Sequence, residues 1–211
     1  MGDLASTRSN REELYKYFHQ HPELSMQERG TADRIVQELE ASGISTTRIG
    51  ETGVLATIEN GAGPTVAMRA DIDALPVKEV SGKDYASTAT QLDEKSGTEV
   101  PVAHACGHDF HLMSLITALQ AFNAHKDEWS GTFIGVFQPA EETAEGARAM
   151  LDADLKDVIP RPDVYLGQTR ARQLAVRLRR HASGPCAFLR FLSEGCRARQ
   201  RLPRIHARTW C

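Results

Sequence analysis

The 211-residue sequence predicts an α/β fold, and three observations carry that prediction. Strand-like apolar runs alternate with helix-like stretches along the first 168 residues, the pattern of a sheet covered by helices. Each cluster of charged or metal-competent side chains falls just after a strand-like run or at a strand-to-helix junction, where open α/β sheets gather their ligand sites. The composition, 41% hydrophobic with a formal charge of -3, suits a globular chain with one good-sized domain.

From the N-terminus, Ser9 or Asn10 is placed to cap a helix through "REELYKYFHQH", where Leu14, Tyr17 and Phe18 follow i, i+3, i+4 spacing. "PELSMQE" breaks that helix, and its Ser25 precedes Glu28 by three residues, the spacing of a capping box. A second helix is expected over "GTADRIVQELEASG", with Ile35 and Leu39 apolar and Gly43 at its end. "GVLATIENG" and "PTVAMRADIDALP" read as two strands on either side of a Gly-Ala-Gly-Pro turn. Residues 76–103 are polar and irregular, as a long surface loop would be. "HLMSLITALQAFNAH" predicts a mostly apolar helix buried on more than one side. "GTFIGVFQPAEE" predicts a strand ending in carboxylates, "AEGARAMLDADL" a helix and "DVYLGQ" another short strand.

No run of about 18 apolar residues is present, so no transmembrane helix is expected. The polar start "MGDLASTRSNREELYKYF" lacks the apolar core of a secretory signal, which makes a cytoplasmic, reducing location the expectation. The charge is unevenly spread. Residues 1–168 carry 27 acidic and 14 basic side chains, whereas residues 169–211 carry eleven arginines, no lysine and one acid, Glu194. The sequence therefore divides into a body, 1–168, and an Arg-rich tail, 169–211, in which no period of 2 or 3.6 is sustained beyond a possible helical stretch at "RQLAVRLRR".

Three clusters could do chemistry. "ADIDALP" puts Asp71 and Asp73 two apart at a strand end, on one face if the chain is extended there; turn or cap residues are the plainer reading. "HACGHDFH" combines Cys106 and His108 across Gly107, a spacing that lets thiolate and imidazole meet one zinc-like ion, although a small buried cysteine or a surface histidine run would look the same. "FQPAEE" ends a strand in Glu141 and Glu142. Paired acids usually open a solvated helix, but one can bind a metal while the other takes a proton from metal-bound water. Three such clusters at successive strand ends argue together for a hydrolytic metal centre.

The segments "FHQHPELSMQE", "MRADIDALPVKE", "HACGHDFHLMSLITAL" and "GVFQPAEETAEGARAML" closely resemble the amidohydrolase branch of the zinc-aminopeptidase-like metallopeptidase clan. That branch contains hippurate hydrolases, N-acyl-amino-acid amidohydrolases (aminoacylases) and auxin-conjugate hydrolases. The similarity runs in register over roughly residues 10–168. It implies a three-layer α/β catalytic domain, incomplete in this chain, and two divalent metal ions, manganese or zinc, that cleave the amide bond of a small N-acyl amino acid. It further implies that Cys106, His108 and Glu142 are metal ligands, that Glu141 is the general base, and that Asp73 orients a ligating histidine.

The resemblance also marks departures. Family members continue "LGQ" with a ligating histidine, whereas here Thr169 follows Gln168. Nothing beyond it resembles the family, whose members run to about twice this length with a lid or dimerisation domain and a final ligating histidine. An abrupt switch to Arg-rich, Lys-free sequence is what an altered reading frame in a GC-rich gene would produce. The expectations are thus impaired hydrolysis, marginal stability and no dimerisation region. The competing readings are an inactive metal-binding remnant, or a binder of nucleic acid or an anionic surface through the tail. Filter binding across salt separates the last of these, since phosphate contacts weaken steeply as salt rises.

Overall fold

In the computed structural model, which describes residues 8–168, the chain runs α1 (Arg8–Gln20), α2 (Arg29–Ala41), β1 (Ser45–Ile49), β2 (Gly53–Asn60), β3 (Thr65–Asp71), β4 (Thr90–Asp93) and β5 (Thr98–Pro101). It continues through α3 (His108–Ala124), β6 (Gly131–Gln138), α4 (Gly146–Asp152), α5 (Leu155–Val158) and β7 (Val164–Gly167). The Arg-rich tail and its "RQLAVRLRR" stretch lie outside the described residues.

Period-two alternation decides which face each strand residue takes. Val54, Ala56 and Ile58 of β2 and Phe133 and Phe137 of β6 join one core with Phe18, Ile35, Leu39, Leu112, Leu115, Ile116 and Leu119 of α1, α2 and α3. Leu55, Ile134 and Val136 turn to the other face and pack with Ala67, Met150 of α4 and Leu155 of α5. Helices on both faces of one sheet make the three-layer α/β arrangement that the sequence predicts.

The five-stranded sheet has the order β1-β2-β6-β3-β7. β1 and β6 both flank β2 antiparallel, while β3 lies parallel to both β6 and β7. The register Asp71↔Gln138 brings the carboxyl ends of β3 and β6 side by side. Helix α3 connects these two strands through the segment 108–124, and its N-terminus begins with His108. No described helix is long and apolar enough to cross a membrane.

The structure extends the sequence reading at some places and corrects it at others. The strands β2 and β3 are neighbours in sequence but not in the sheet, because β6 pairs between them. The polar "STTRI" run forms edge strand β1, and residues 76–103 contain the hairpin β4-β5 instead of being irregular throughout. Helix α1 already includes Arg8, so Ser9 and Asn10 lie within it and do not cap it. The capping box is absent as well. The Glu23 carboxylate accepts hydrogen bonds from Gly30 N (3.0 Å) and Thr31 N (2.6 Å) at the start of α2, which leaves Ser25 and Glu28 for other partners.

The turn after β6 is held tightly. Ala140 has φ +47° and its carbonyl accepts from Glu145 N and Gly146 N, both at 3.2 Å. A Cβ on Gly146 would lie 1.6 Å from Pro139 O and 2.4 Å from Pro139 C, backbone atoms that cannot swing aside. Gly146→Ala is therefore expected to lower the unfolding free energy by about 3 kcal/mol, the upper end of ordinary overpacking costs. Urea denaturation measures it, and an unchanged midpoint would contradict this close approach.

Candidate metal centre

Three segments meet at the shared end of β3 and β6. Asp71 closes β3 and Asp73 follows it, His108 and His111 lie on the first turn of α3, and Glu141 and Glu142 follow β6. Gly107, at φ +76°, makes the turn that starts α3, a left-handed conformation favourable to glycine.

His108 Nδ1 lies 3.0 Å from Asp73 Oδ1 and 2.9 Å from the Asp73 carbonyl. Both partners only accept from it, so Nδ1 carries a proton, and Nε2 is the nitrogen that can offer a lone pair to an ion once its own proton is lost. That Nε2 is 4.0 Å from Glu141 Oε2 and 3.9 Å from Glu142 Oε1. These separations are too long for hydrogen bonds. They suit donors that share one ion, since ligands roughly 2.1 Å from a tetrahedral cation sit about 3.4 Å apart.

The ligand atoms of His108, Glu141 and Glu142 all lie within 4.8 Å of one another, and the same holds for Asp71, His108 and His111. Cys106 joins neither group. It is exposed on the turn before α3 and takes part in no disulfide. The structure thus brings together His108, Glu141, Glu142 and the supporting Asp73 among the residues singled out from sequence, and sets Cys106 outside these groups.

Two oxygens in the cluster, Asp71 Oδ1 and Glu142 Oε1, are buried without a hydrogen-bond partner. Bare carboxylate oxygens shielded from water are costly unless a cation compensates them. The donor set therefore fits a divalent ion. The electrostatics agree. Burial disfavours a charged imidazole, but the hydrogen bond and charge of Asp73, with Asp71, raise the His108 pKa to about 9. Burial pushes Asp71 up to about 6, against the pull of Arg69 and His108, and Glu141 adds to the rise. Asp73 is lower than usual despite its burial, because His108, Ser25 and Glu142 N all donate to it.

Several supporting residues were missed in the sequence. Glu28 is fully buried; its Oε1 accepts from Met26 N (3.0 Å) and Ala140 N (2.8 Å), and its Oε2 from Thr52 Oγ1 (2.7 Å). It ties the break after α1 to the turn that carries Glu141. His19 bridges Asp109 Oδ2 (2.6 Å) and Glu79 Oε1 (3.1 Å), holding the 76–89 stretch against α3. His104 is buried with both ring nitrogens unpartnered, and burial lowers its pKa to about 4. Only the spacing of the "FHQHPELSMQE" segment hinted at Glu28, and it suggested a cap.

The fold and donor set define a class: an α/β/α chain with a cation site at its parallel strand ends. The chain belongs to peptidase family M20/M25/M40, whose family model matches residues 67–179, more than half of it. It is 44% identical over 138 residues to an N-acetylcysteine deacetylase of Bacillus subtilis, covering 64% of this chain and 34% of that protein. It is 38% identical over 142 residues to the IAA-amino acid hydrolase ILR1-like 5 of Arabidopsis thaliana, covering 66% and 30%. The chain thus spans about a third of the length of these curated relatives. Among solved structures it resembles the YXEP protein of Bacillus subtilis, described as a dinuclear metal binding peptidase from the M20 family. There the TM-score is 0.68 at 35% identity, covering 79% of this chain and 44% of that one.

The Glu28 carboxyl makes a pH-dependent contribution that can be measured. Burial raises its pKa from 4.5 to about 7, against the pull of its three donors. Below both values each state is protonated; between them the unfolded chain loses its proton first, so stability falls as pH rises through that window. Glu28→Gln keeps an acceptor for Met26 N and Ala140 N but cannot ionise. The stability advantage of wild type over Glu28→Gln should shrink by on the order of 3 kcal/mol from about pH 4 to pH 8. Urea titrations of both proteins across that range give the difference, and a flat difference would refute the assignment.

Proposed function

We propose that this chain carries the catalytic centre of a metal-dependent amidohydrolase that cleaves the amide bond of small N-acyl amino acids. The observation that carries the reading is His108 Nε2 facing Glu141 and Glu142 at 4.0 and 3.9 Å while Asp73 fixes the opposite nitrogen. The relatives whose names specify N-acetylcysteine and an IAA-amino acid support the substrate class.

His108 and Glu142 would hold the ion. Cys106 is assigned a thiolate ligand on its place in the "HACGHD" motif, two residues before His108. Bound divalent ions, manganese or zinc, would polarise the amide carbonyl and acidify a water. The two glutamates differ in setting, as such a division of labour requires. The Glu141 side chain is 41% exposed, open to substrate and solvent, and Glu142 is 19% exposed. Glu141 accordingly serves as general base, taking a proton from the attacking water and returning it to the leaving amine. Asp73 keeps His108 in the tautomer that offers Nε2.

Glu141→Gln preserves size and polarity but cannot carry the proton. Hydrolysis of hippurate or an N-acetyl amino acid should fall by about 10²–10⁴-fold, with bound metal per chain unchanged by elemental analysis. Loss of metal along with activity would instead make Glu141 a ligand. A wild-type chain that binds metal yet turns over none of these amides would show an inactive metal-binding protein.

A further inference from the structure

His19 stands outside the metal centre, near the end of α1, with its side chain only 12% exposed. Two carboxylates from other parts of the chain hold its ring. Nδ1 lies 2.6 Å from Asp109 Oδ2 on the first turn of α3, and Nε2 lies 3.1 Å from Glu79 Oε1 between β3 and β4. Ionised carboxylates only accept, so a ring bonded to one at each nitrogen carries both protons and a positive charge.

The surroundings suit that charge. Tyr85 meets the ring edge-on at 5.2 Å between centroids, and Tyr15 lies tilted against it at 5.7 Å. Lys16 and Lys83 sit over Tyr85, their Nζ atoms 5.5 and 5.4 Å from its centre. Burial lowers the nearby His104 to a pKa of about 4, with Asp109 pulling it up and the charges of His108 and His19 pushing it down. Burial works against a charge on His19 as well, but the bonds and charges of Asp109 and Glu79 outweigh it and keep the pKa above the ordinary value.

What the ring joins gives it a role. The Glu79 carboxylate also accepts from Ser87 N (2.6 Å) and from Ser81 Oγ, so it gathers the stretch from 79 to 87 around one point. That stretch leads on from Asp73 through Ala74 and Leu75, whose amides are bonded to Glu23 and Ala103. Asp109 directly follows His108. His19 therefore ties the chain after Asp73 to the turn that carries His108, and the contact between those two residues is what leaves Nε2 for an ion.

We infer that His19, as an imidazolium, is a clamp that positions His108 against Asp73 and is released as pH rises. Loss of its proton leaves one carboxylate without a donor and sets Glu79 against Asp109 across a neutral ring. Two carboxylates more than cancel the imidazolium charge, so the clamp acts on a cation through geometry and not by repulsion. Its stabilising contribution is complete below the unfolded value of 6.5 and is lost as pH rises through the higher folded one. The effect on an ion rests on the metal-centre reading above; the clamp itself does not.

The metal-free full chain is tested first. Proton NMR follows the His19 ring, assigned by its absence from His19→Gln, while amide exchange over residues 76–89 is measured from about pH 6 to pH 9 and corrected for intrinsic rate. His19 should titrate above 6.5. Protection of the Ser87 amide should fall by about tenfold over the same titration in wild type, and should be low at every pH in His19→Gln. Zinc affinity is then read against a chelating dye. Wild type should bind about tenfold more tightly than His19→Gln at low pH, the lower end of what outer partners of a ligand contribute, and the ratio should approach one above the titration. A merely structural role would keep that ratio constant. Glu79→Gln, which leaves α3 unaltered, should lower the His19 titration and weaken zinc to a similar degree, and it decides the matter if His19→Gln does not fold. His19 titrating at or below 6.5, exchange over 76–89 that ignores its titration, or a pH-independent affinity ratio each overturns the inference. Wild type that binds no zinc yet couples exchange to the titration supports the clamp and removes the metal-centre reading instead.

Discussion

The site depends on one buried carboxylate. Asp73 is 0% exposed, and its two oxygens serve donors from three separate segments. Oδ1 faces His108 Nδ1 at the start of α3; Oδ2 accepts from Ser25 Oγ (2.6 Å) in the break between α1 and α2, and from Glu142 N (3.0 Å) after β6. Such a charge is tolerated away from water because each oxygen is hydrogen-bonded, and those bonds hold its pKa below the ordinary value. The same bonds fix where the histidine and the glutamate pair stand. Removing the carboxylate would free all three segments at once, so folding and site geometry are coupled through a single side chain.

Glu28 repeats this bracing with the opposite electrostatic outcome, since burial raises its pKa to about 7. It too is buried and it too receives donors from three places, including Ala140 N, one residue before Glu141. The turn between β6 and α4 is thus pinned from two sides, by Glu28 at Ala140 and by Asp73 at Glu142, while the close approach of Gly146 to Pro139 shuts the loop behind them. A left-handed Ala140 survives in a turn so constrained. Rigid backbone under paired carboxylates keeps their oxygens near His108 without direct hydrogen bonds to it.

The sequence made the order of most elements legible, because local signals carry it. Leu14 and Phe18 mark a helix face, Val54 to Ile58 alternate, and Gly43 ends α2 with φ +71°. It did not reveal that β6 inserts between β2 and β3, since those pairings join residues 67 to 83 apart and leave no local trace. The edge strand β1 and the hairpin β4-β5 were hidden for a different reason: their exposed, polar residues lack the apolar pattern by which strands are read. In the site, the "CGHD" and "PAEE" spacings pointed to His108, Glu141 and Glu142. They were silent on Glu28, whose capping-box spacing suggested a local role while its partners are Thr52 and Ala140. They likewise undervalued His111, one turn along α3 from His108, and Asp71, which becomes a neighbour of His108 only after β3 and α3 pack together.

Charge explains why so much support surrounds so few donors. Asp71, Asp73, Glu141 and Glu142 converge on a region where Arg69 meets only one oxygen of Asp71, and His108 is the imidazole they share. Without an ion the cluster takes up protons, as the raised values of His108 and Asp71 show. A divalent cation supplies that missing positive charge without neutralising the carboxylates, and so competes with protons for the same site. The structure spends its buried hydrogen bonds on Asp73 and Glu28, the two carboxylates that never need an ion, and leaves single oxygens of Asp71 and Glu142 bare. That division separates residues that hold the backbone from residues that wait for a cation, and it is set by which carboxylate oxygens the fold supplies with donors.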